Sequence, residues 1–463
     1  MSAPTPSTLD RRLGTFDAAA VVVSNVIGSG ILILPAIVAG MAPTPWALMT
    51  IWALGGLLAF AGAMAYAELA ALRPKAGGEY VYLREAFGPL PAFLTGWTSF
   101  VAGFSGAIAA SAVGLAGYLG RFIPAAGDPT PIFSIPLGLG ALTFSPQSLV
   151  AVGAIAVLSL VHALGLGPGR VVQNTLAVVK VLGLLAFVFA GFVWGTGSRA
   201  NFTGGDVPEL AVSGMLLALV PVMFSYSGWN AAAYIAEEIR DPGRNVPRAL
   251  GLGTVAVVLV YLAMNAIYLY ALPIDALRGL EMRVVDAAAD RLFGAAAGDA
   301  LTLVTALIVA GSISAMVFAG PRVYYAMARD GLFLPRAARV HPRWHTPAFA
   351  IIAQGVWSSL LVLSGTFNDL VNYTGFAVVL FAGIAVTALF VLRRRYPDEP
   401  RAFRAWGYPL APGIFAIFSF VMVANAIWRE PGPSAAGLVI ISLGIPLFYL
   451  ARRQLAVPAR ARD

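Results

Sequence analysis

The sequence predicts an all-α membrane protein of twelve transmembrane helices, ten of them forming two inverted five-helix blocks. Three observations lead there. Hydrophobic residues make up 59% of the 463 and charged residues 11%, with a mean hydropathy of +0.81, far from the roughly 25% charged of soluble domains. Apolar runs of about 20 residues, enough to cross hydrocarbon, recur twelve times. The first and sixth runs are interrupted in the same way, at Gly28 and Gly228, 200 residues apart.

The runs lie near 14–39, 46–72, 91–120, 147–165, 171–195 and 209–236, then 249–272, 299–328, 348–365, 370–392, 409–428 and 434–451. The first is no cleavable signal peptide. It is too long, it contains Pro35, and no small-residue cleavage site precedes a soluble domain. With a cytoplasmic N-terminus, alternation through twelve spans leaves 23 of the 30 Lys and Arg on the cytoplasmic side. Six fall outside (Arg121, Arg199, Arg278, Arg283, Arg291, Arg429), and Lys180 lies within a span. That bias is a positive-inside signal, and a missing helix would scramble it. It predicts a multi-pass protein of the plasma (inner) membrane with both termini cytoplasmic.

The blocks divide the chain. Residues 1–13 are a cytoplasmic N-terminal tail, 14–195 the first five-helix repeat and 209–392 the second. Five spans per block start the second from the opposite face, so the repeat is inverted. Helices 11 and 12 (409–451) lie outside it, and 452–463 is a cytoplasmic tail without fixed structure. Between spans, 273–298 reads as an extracellular amphipathic piece and 330–347 as a cytoplasmic loop rich in Arg, His and Pro.

Composition excludes several classes. The net charge of +8 and pI near 9.8 follow from topology and attraction to an anionic bilayer, so no nucleic acid is needed as a partner. No cysteine is present, which rules out a thiolate metal site and a disulfide-linked subunit. Three scattered histidines (His162, His341, His345) make no metal cluster. No phosphate-binding glycine loop appears, and no cofactor is expected.

The interruptions carry the chemistry. In Asn25-Val26-Ile27-Gly28-Ser29-Gly30-Ile31, two glycines flanking a serine open the helix and leave backbone groups without partners. In hydrocarbon each such group costs several kcal/mol, so broken helices persist where they are buried or line a cavity. Freed N–H groups of Ser29, Gly30 and Ile31 at a half-helix start suit a carboxylate. The second break, Phe224-Ser225-Tyr226-Ser227-Gly228-Trp229-Asn230, offers carbonyls around Phe224 and Ser227 for an ammonium. Taken alone, Gly-Ser-Gly reads as close helix packing. Paired breaks in two halves read as a transporter's binding site.

Lys180 is the lone Lys or Arg inside a span. It sits about ten residues into its helix, too deep to snorkel, and such residues are functional candidates by default. Glu68, near the cytoplasmic end of the second span, is open to a structural or a functional reading. Glu237 and Glu238, at the end of the sixth span beside Arg240 and Arg244, read as a gate or loop ion-pair network. Phe224 is either a core aromatic or a lid.

At these residues the chain resembles the amino acid–polyamine–organocation (APC) superfamily, closest to the L-type amino acid transporter-like group. The resemblance covers nearly the whole chain. Its anchors are Gly28-Ser29-Gly30-Ile31, Tyr66-Ala67-Glu68-Leu69 through Gly77-Gly78-Glu79-Tyr80-Val81-Tyr82, Phe224 through Glu237-Glu238, Pro242, Pro247-Arg248-Ala249, and Arg322 through Gly331. It implies the LeuT-type 5+5 inverted repeat with helices 1 and 6 broken, and alternating access. The substrate-binding residues it implies are Val26, Ile27, Gly28, Ser29, Gly30, Ile31, Phe224, Ser225, Ser227 and Gly228. Ser29 and Gly30 would hold the carboxylate; the carbonyls of Val26, Phe224 and Ser227 would hold the amine, with Phe224 as the gate. Lys180 would stand where sodium-coupled members bind sodium, with Ser312 and Ser314 as its candidate partners. Ser314 is a departure, since many relatives carry Asn there.

The resulting expectation is a secondary active amino acid transporter, sodium-independent, working by proton symport or exchange. Small residues in the third span (Gly106, Ala107, Ala109, Ala110, Ser111) and the lack of an evident acidic residue in the pocket point to neutral substrates. The alternative is a polyamine or organic amine transporter on the same fold. A membrane enzyme or sensor would need a His/Asp/Glu cluster in the spans or a signalling domain, and neither appears. A channel fits twelve spans with broken helices less well.

Overall fold

A computed structural model describes residues 9–456 except 43, 137–140, 204–211, 281–283, 295–296, 366 and 430. Helices dominate. In chain order they are α1 (Thr15–Val26), α2 (Gly30–Met41), α3 (Pro45–Leu72), α4 (Glu79–Phe87), α5 (Pro89–Thr98), α6 (Phe104–Leu119), α7 (Pro146–Ala163), α8 (Leu166–Trp194), α9 (Val212–Ser225) and α10 (Ala231–Tyr234). There follow α11 (Pro242–Ala271), α12 (Ile274–Arg278), α13 (Val284–Phe293), α14 (Gly298–Ala319), α15 (Pro321–Arg329), α16 (Ala348–Ser364), α17 (Phe367–Arg395), α18 (Leu410–Arg429) and α19 (Pro431–Ala456).

Among the described residues nine helices are long and apolar enough to cross a membrane, and α1 with α2, bent by 48° at their junction, would make a tenth. The expected runs at 209–236 and 348–365 correspond to α9 and α16, of 14 and 17 residues. Starts are fixed by local chemistry. The Thr44 hydroxyl accepts from the Ala47 N–H at the head of α3, and Ser145 and Ser148 cap α7 reciprocally, each satisfying donors that a helix start leaves orphaned. Proline follows as the first residue of both helices, where its missing N–H costs nothing.

Three features go beyond the expectations from sequence. Residues 79–87 form a helix of their own, α4, at the foot of the third span. A five-residue π-turn at Ser99–Gly103 joins α5 to α6. An antiparallel hairpin, β1 (Phe133–Pro136) with β2 (Ala141–Phe144), pairs Phe133 with Phe144 in the connection between the third and fourth apolar runs. The expected piece at 273–298 contains α12 and α13, while Glu281 lies outside the described residues. The last helix continues to Ala456, beyond the expected boundary at 451, and the rest of the tail lies outside the described residues.

The core sits where α11 packs on α1 and α3, and where α14 packs on α1, α6 and α8. It is lined by buried Trp52, Tyr66, Tyr82, Tyr226, Tyr261 and Tyr268. The periphery is apolar and uncovered: Leu182, Phe189 and Trp194 on α8, and Ile417 and Leu443 on the last two helices, are exposed. That is the surface of a protein solvated by lipid.

Charged anchors hold the ends. Glu68 is fully buried and pairs with Arg393 and Arg401 while accepting the Ala405 N–H at 2.6 Å, so it ties α3 to the end of α17 and the loop beyond. Arg73 bridges Glu85 and Glu399 and holds the Glu399 carboxyl below its ordinary range.

Candidate functional site

The site begins with carbonyls that the end of α1 leaves without intrahelical donors. Three side chains from other helices take them. Lys180 Nζ, from α8, donates to Ser24 O at 2.9 Å, to Ile27 O at 2.5 Å and to Ser312 Oγ at 3.0 Å. An ammonium has three hydrogens, and all three are used. Ser312, from α14, passes its own hydrogen to Ile27 O at 2.9 Å. Tyr261, from α11, reaches Val26 O at 2.9 Å and Ser225 O at 3.0 Å. Lys180, Ser312 and Tyr261 thus hold the first break in place from three separate helices.

The two breaks touch. Gly228 has φ +101, open to glycine at little cost, and a Cβ there would lie 2.6 Å from Asn25 Nδ2 and 3.0 Å from Asn25 O. A Cβ on Gly30 would lie 2.8 Å from Ser225 Oγ and 3.1 Å from Ser225 Cα. Gly28 faces Ser312 Oγ in the same manner at 3.4 Å. Residues 200 apart in sequence therefore pack backbone to backbone. Ser29 is exposed, whereas Ile27 and Ile31 are fully buried and Val26 nearly so.

A cavity of about 180 Å³ lies against the second break. Asn25, Phe224, Ser227 and Gly228 line it, with Ala107 and the π-turn residues Ser99, Ala102 and Gly103. A second cavity of about 780 Å³ shares Phe224, Gly375 and Val379 with the first. Phe224, 47% exposed, lines both.

The geometry corrects two expectations. Ser314 does not partner Lys180; its hydroxyl meets His162 Nε2 at 2.8 Å. And the cavity does contain an acid: Glu79, at the head of α4, lines it and is 8% exposed. The Val26 carbonyl, expected at the substrate amine, lies within reach of the Tyr261 hydroxyl and keeps a second lone pair. Sequence inspection passed over Tyr261 and Glu79. Tyr261 and Tyr268, seven residues apart in an apolar span, fall on one helix face, and the Tyr268 hydroxyl likewise reaches Ile31 O at 3.2 Å. That spacing was a usable signal. Glu79 gave none beyond its place after Gly77-Gly78.

Below the site, Glu238 and Arg322 form an ion pair with both side chains fully buried, and the Arg322 guanidinium lies 4.3 Å from the Phe318 ring centre. Glu237 pairs with Arg329 and accepts the Ala76 N–H. Arg84 pairs with Asp330. The Glu238 carbonyl accepts the N–H groups of Arg12 and Leu13, each at 2.9 Å, stitching the segment before α1 to the residues after the second break.

Comparison with known proteins gives the family. The family model described as "Amino acid permease" matches residues 13–450. The chain belongs to the amino acid permease family. This permease is 30% identical over 448 residues to the b(0,+)-type amino acid transporter 1 of Mus musculus, covering 96% of the chain and 88% of that protein. It is 28% identical over 456 residues to the large neutral amino acids transporter small subunit 2 of Homo sapiens, covering 96% and 80%. It is 29% identical over 445 residues to the cystine/glutamate transporter of Homo sapiens, covering 96% and 85%. The permease is therefore a multi-pass transporter of the APC superfamily that moves amino acids across a membrane. It is not an enzyme, and the polyamine alternative finds no support.

Proposed function

We propose that this permease is a sodium-independent secondary active transporter of neutral amino acids, working by alternating access. In this reading it has twelve spans in a 5+5 inverted repeat, 14–195 and 209–392, with helices 1 and 6 broken and 409–451 outside the repeat. The N–H groups of Ser29, Gly30 and Ile31 take the substrate carboxylate. Carbonyls of the second break near Phe224 and Ser227 take the amine. Phe224 is the gate, a role supported by its place in the lining of both cavities. The protein resides in the plasma membrane with both termini cytoplasmic, supported by the distribution of Lys and Arg. A chain without cysteine works without a disulfide-linked partner.

The observation that carries this reading is the ammonium of Lys180 between Ser24 O, Ile27 O and Ser312 Oγ. A cation fixed by two carbonyls and a hydroxyl, joining α1, α8 and α14, supplies the charge and the bridging that a bound sodium ion would otherwise provide. Proton release from Lys180 would weaken that bridge and couple transport to protons; a permanently charged Lys180 fits exchange. The test is uptake of labelled leucine into proteoliposomes containing the purified protein. The reading expects equal uptake with sodium or choline as the external cation, and sodium-dependent uptake would overturn it. A pH gradient across the same vesicles, with and without internal amino acid, separates proton symport from exchange.

A further inference from the structure

Three arginines at one rim of the molecule stand outside every ion pair and side-chain hydrogen bond among the described residues. Arg244 and Arg248 lie one turn apart at the start of α11, Arg404 lies in the loop before α18, and all three are exposed. Asp241, at the N-cap of α11, pairs with none of them. Their neighbours Arg393 and Arg401 are instead committed to the buried Glu68. The two elements meet, since a Cβ on Gly243 would lie 2.9 Å from the Ala402 Cβ. Beyond the arginines the surface turns apolar along the same helix faces. On α11 the spacing Arg244, Arg248, Leu252, Val255, Leu259 is that of a single helical face, and its last three members are exposed. On α18 Leu410, Ile414 and Ile417 repeat the pattern. Helix α3 packs against both α11 and α18 and leaves Leu54 and Leu57 exposed. Trp406, 63% exposed, stands where charge gives way to hydrocarbon, its ring centre 6.0 Å from that of Phe60 on α3.

We propose that this face holds an anionic phospholipid, with its phosphate on Arg244, Arg248 and Arg404 and its acyl chains along the apolar stripes of α3, α11 and α18. Charge and shape together select that occupant. Guanidinium forks match phosphate oxygens two at a time, and a basic group beside a membrane span attracts anionic headgroups. A soluble phosphate would satisfy the arginines and ignore the stripes. A zwitterionic lipid would cover the stripes and bring an ammonium group to the arginines. Trp406 sits as tryptophans do at the boundary between headgroups and hydrocarbon. The seated lipid would brace α11, the helix whose Tyr261 reaches carbonyls of both breaks. None of this depends on the substrate.

The test titrates the purified full chain in detergent with dioleoylphosphatidylglycerol and, separately, with dioleoylphosphatidylcholine. The readout is the unfolding temperature, which a ligand of the folded state raises. Wild type should be stabilised saturably by the first lipid and not by the second. Arg244→Gln, Arg248→Gln and Arg404→Gln together should raise the half-saturating concentration of phosphatidylglycerol by at least about tenfold, since three phosphate contacts are lost. A control carrying Arg336→Gln, Arg339→Gln and Arg343→Gln removes the same charge from the loop before α16 and should leave that concentration unchanged. An equal rise in the control would overturn the proposal by showing general attraction to charge, and equal stabilisation by both lipids would overturn it by showing plain solvation. Glycerol 3-phosphate supplies a headgroup without chains, and stabilisation by it at the same concentrations would also sink the idea, placing free phosphate at the arginines. Should the triple variant fail to insert, Arg404→Gln alone decides, because it alters one exposed loop side chain. A rise of at least about threefold supports the site, and no rise removes it.

Discussion

Lys180 shows how much one side chain can imply about its surroundings. A lone cation in an apolar span must have partners, and its place in the sequence points toward the first break and Ser312. It does not choose between Ser312 and Ser314. Two residues apart on a helix, their side chains point about 200° apart, and only the packing of α14 decides which one faces α1. Lys180→Ala removes three hydrogen bonds and strands the buried Ser24 carbonyl, while Ile27 O keeps Ser312 as a donor, at a cost of roughly 1–3 kcal/mol. Uptake should fall by more than about tenfold, and the unfolding temperature of the detergent-purified protein should drop. Tyr261→Phe is the subtler probe. It keeps the ring, whose centre lies 5.5 Å from that of Trp52, and deletes only the hydroxyl shared by Val26 and Ser225. Stability should fall by about 1–3 kcal/mol, read by denaturant or thermal unfolding, with a smaller loss of uptake than for Lys180→Ala. Tyrosines in apolar helices usually read as core, which is why Tyr261 stayed hidden.

Elements were legible in proportion to their apolar length. Long helices announce themselves through hydropathy, and their ends fell within a few residues of expectation at α3, α7 and α16. Short elements did not. The nine residues of α4 carry mixed charge and aromatic character, and the hairpin lies in a stretch that gave no strand signal strong enough to outweigh Pro and Gly. The close approach of the two breaks was legible only as a coincidence of position. Its physical content is two glycines pressed onto opposing backbone, and that can be tested within one helix. Gly30→Ala on α2 forces a methyl against Ser225 Cα and should abolish uptake or folding. Gly40→Ala on the same helix meets no atom within 4 Å. Alanine's better helix propensity should there leave stability unchanged or raised by roughly 0.5–1 kcal/mol. Similar behaviour of the two variants in thermal unfolding and uptake would mean that the breaks do not pack as described.

On the scale of the whole molecule, two cavities share a wall of Phe224, Gly375 and Val379. Phe224→Ala removes the largest side chain shared by the space of about 180 Å³ and that of about 780 Å³. Equilibrium binding of leucine should then weaken by less than about tenfold, whereas uptake should fall further, because a substrate that cannot be enclosed escapes on the side it entered. Binding by thermal shift and uptake by labelled substrate give the two numbers, and equal losses would make Phe224 a plain contact. The sequence supplied the membrane class, the family and the first break. Tertiary packing alone supplied the cavity and its acid, since each depends on which faces of distant helices meet, and it decided which carbonyls the tyrosine between the breaks holds.

That tyrosine has an arithmetic of its own. A phenol carries one hydrogen, yet Tyr261 stands between two acceptors, Val26 O and Ser225 O, at nearly equal range. While the broken segments stay together, one hydrogen can be shared or traded between them. When they separate, it can follow only one, and the other oxygen is left needing a donor. Water can provide that donor, and so can the ammonium of an arriving amino acid. The empty and the loaded protein thus face different costs for the same parting.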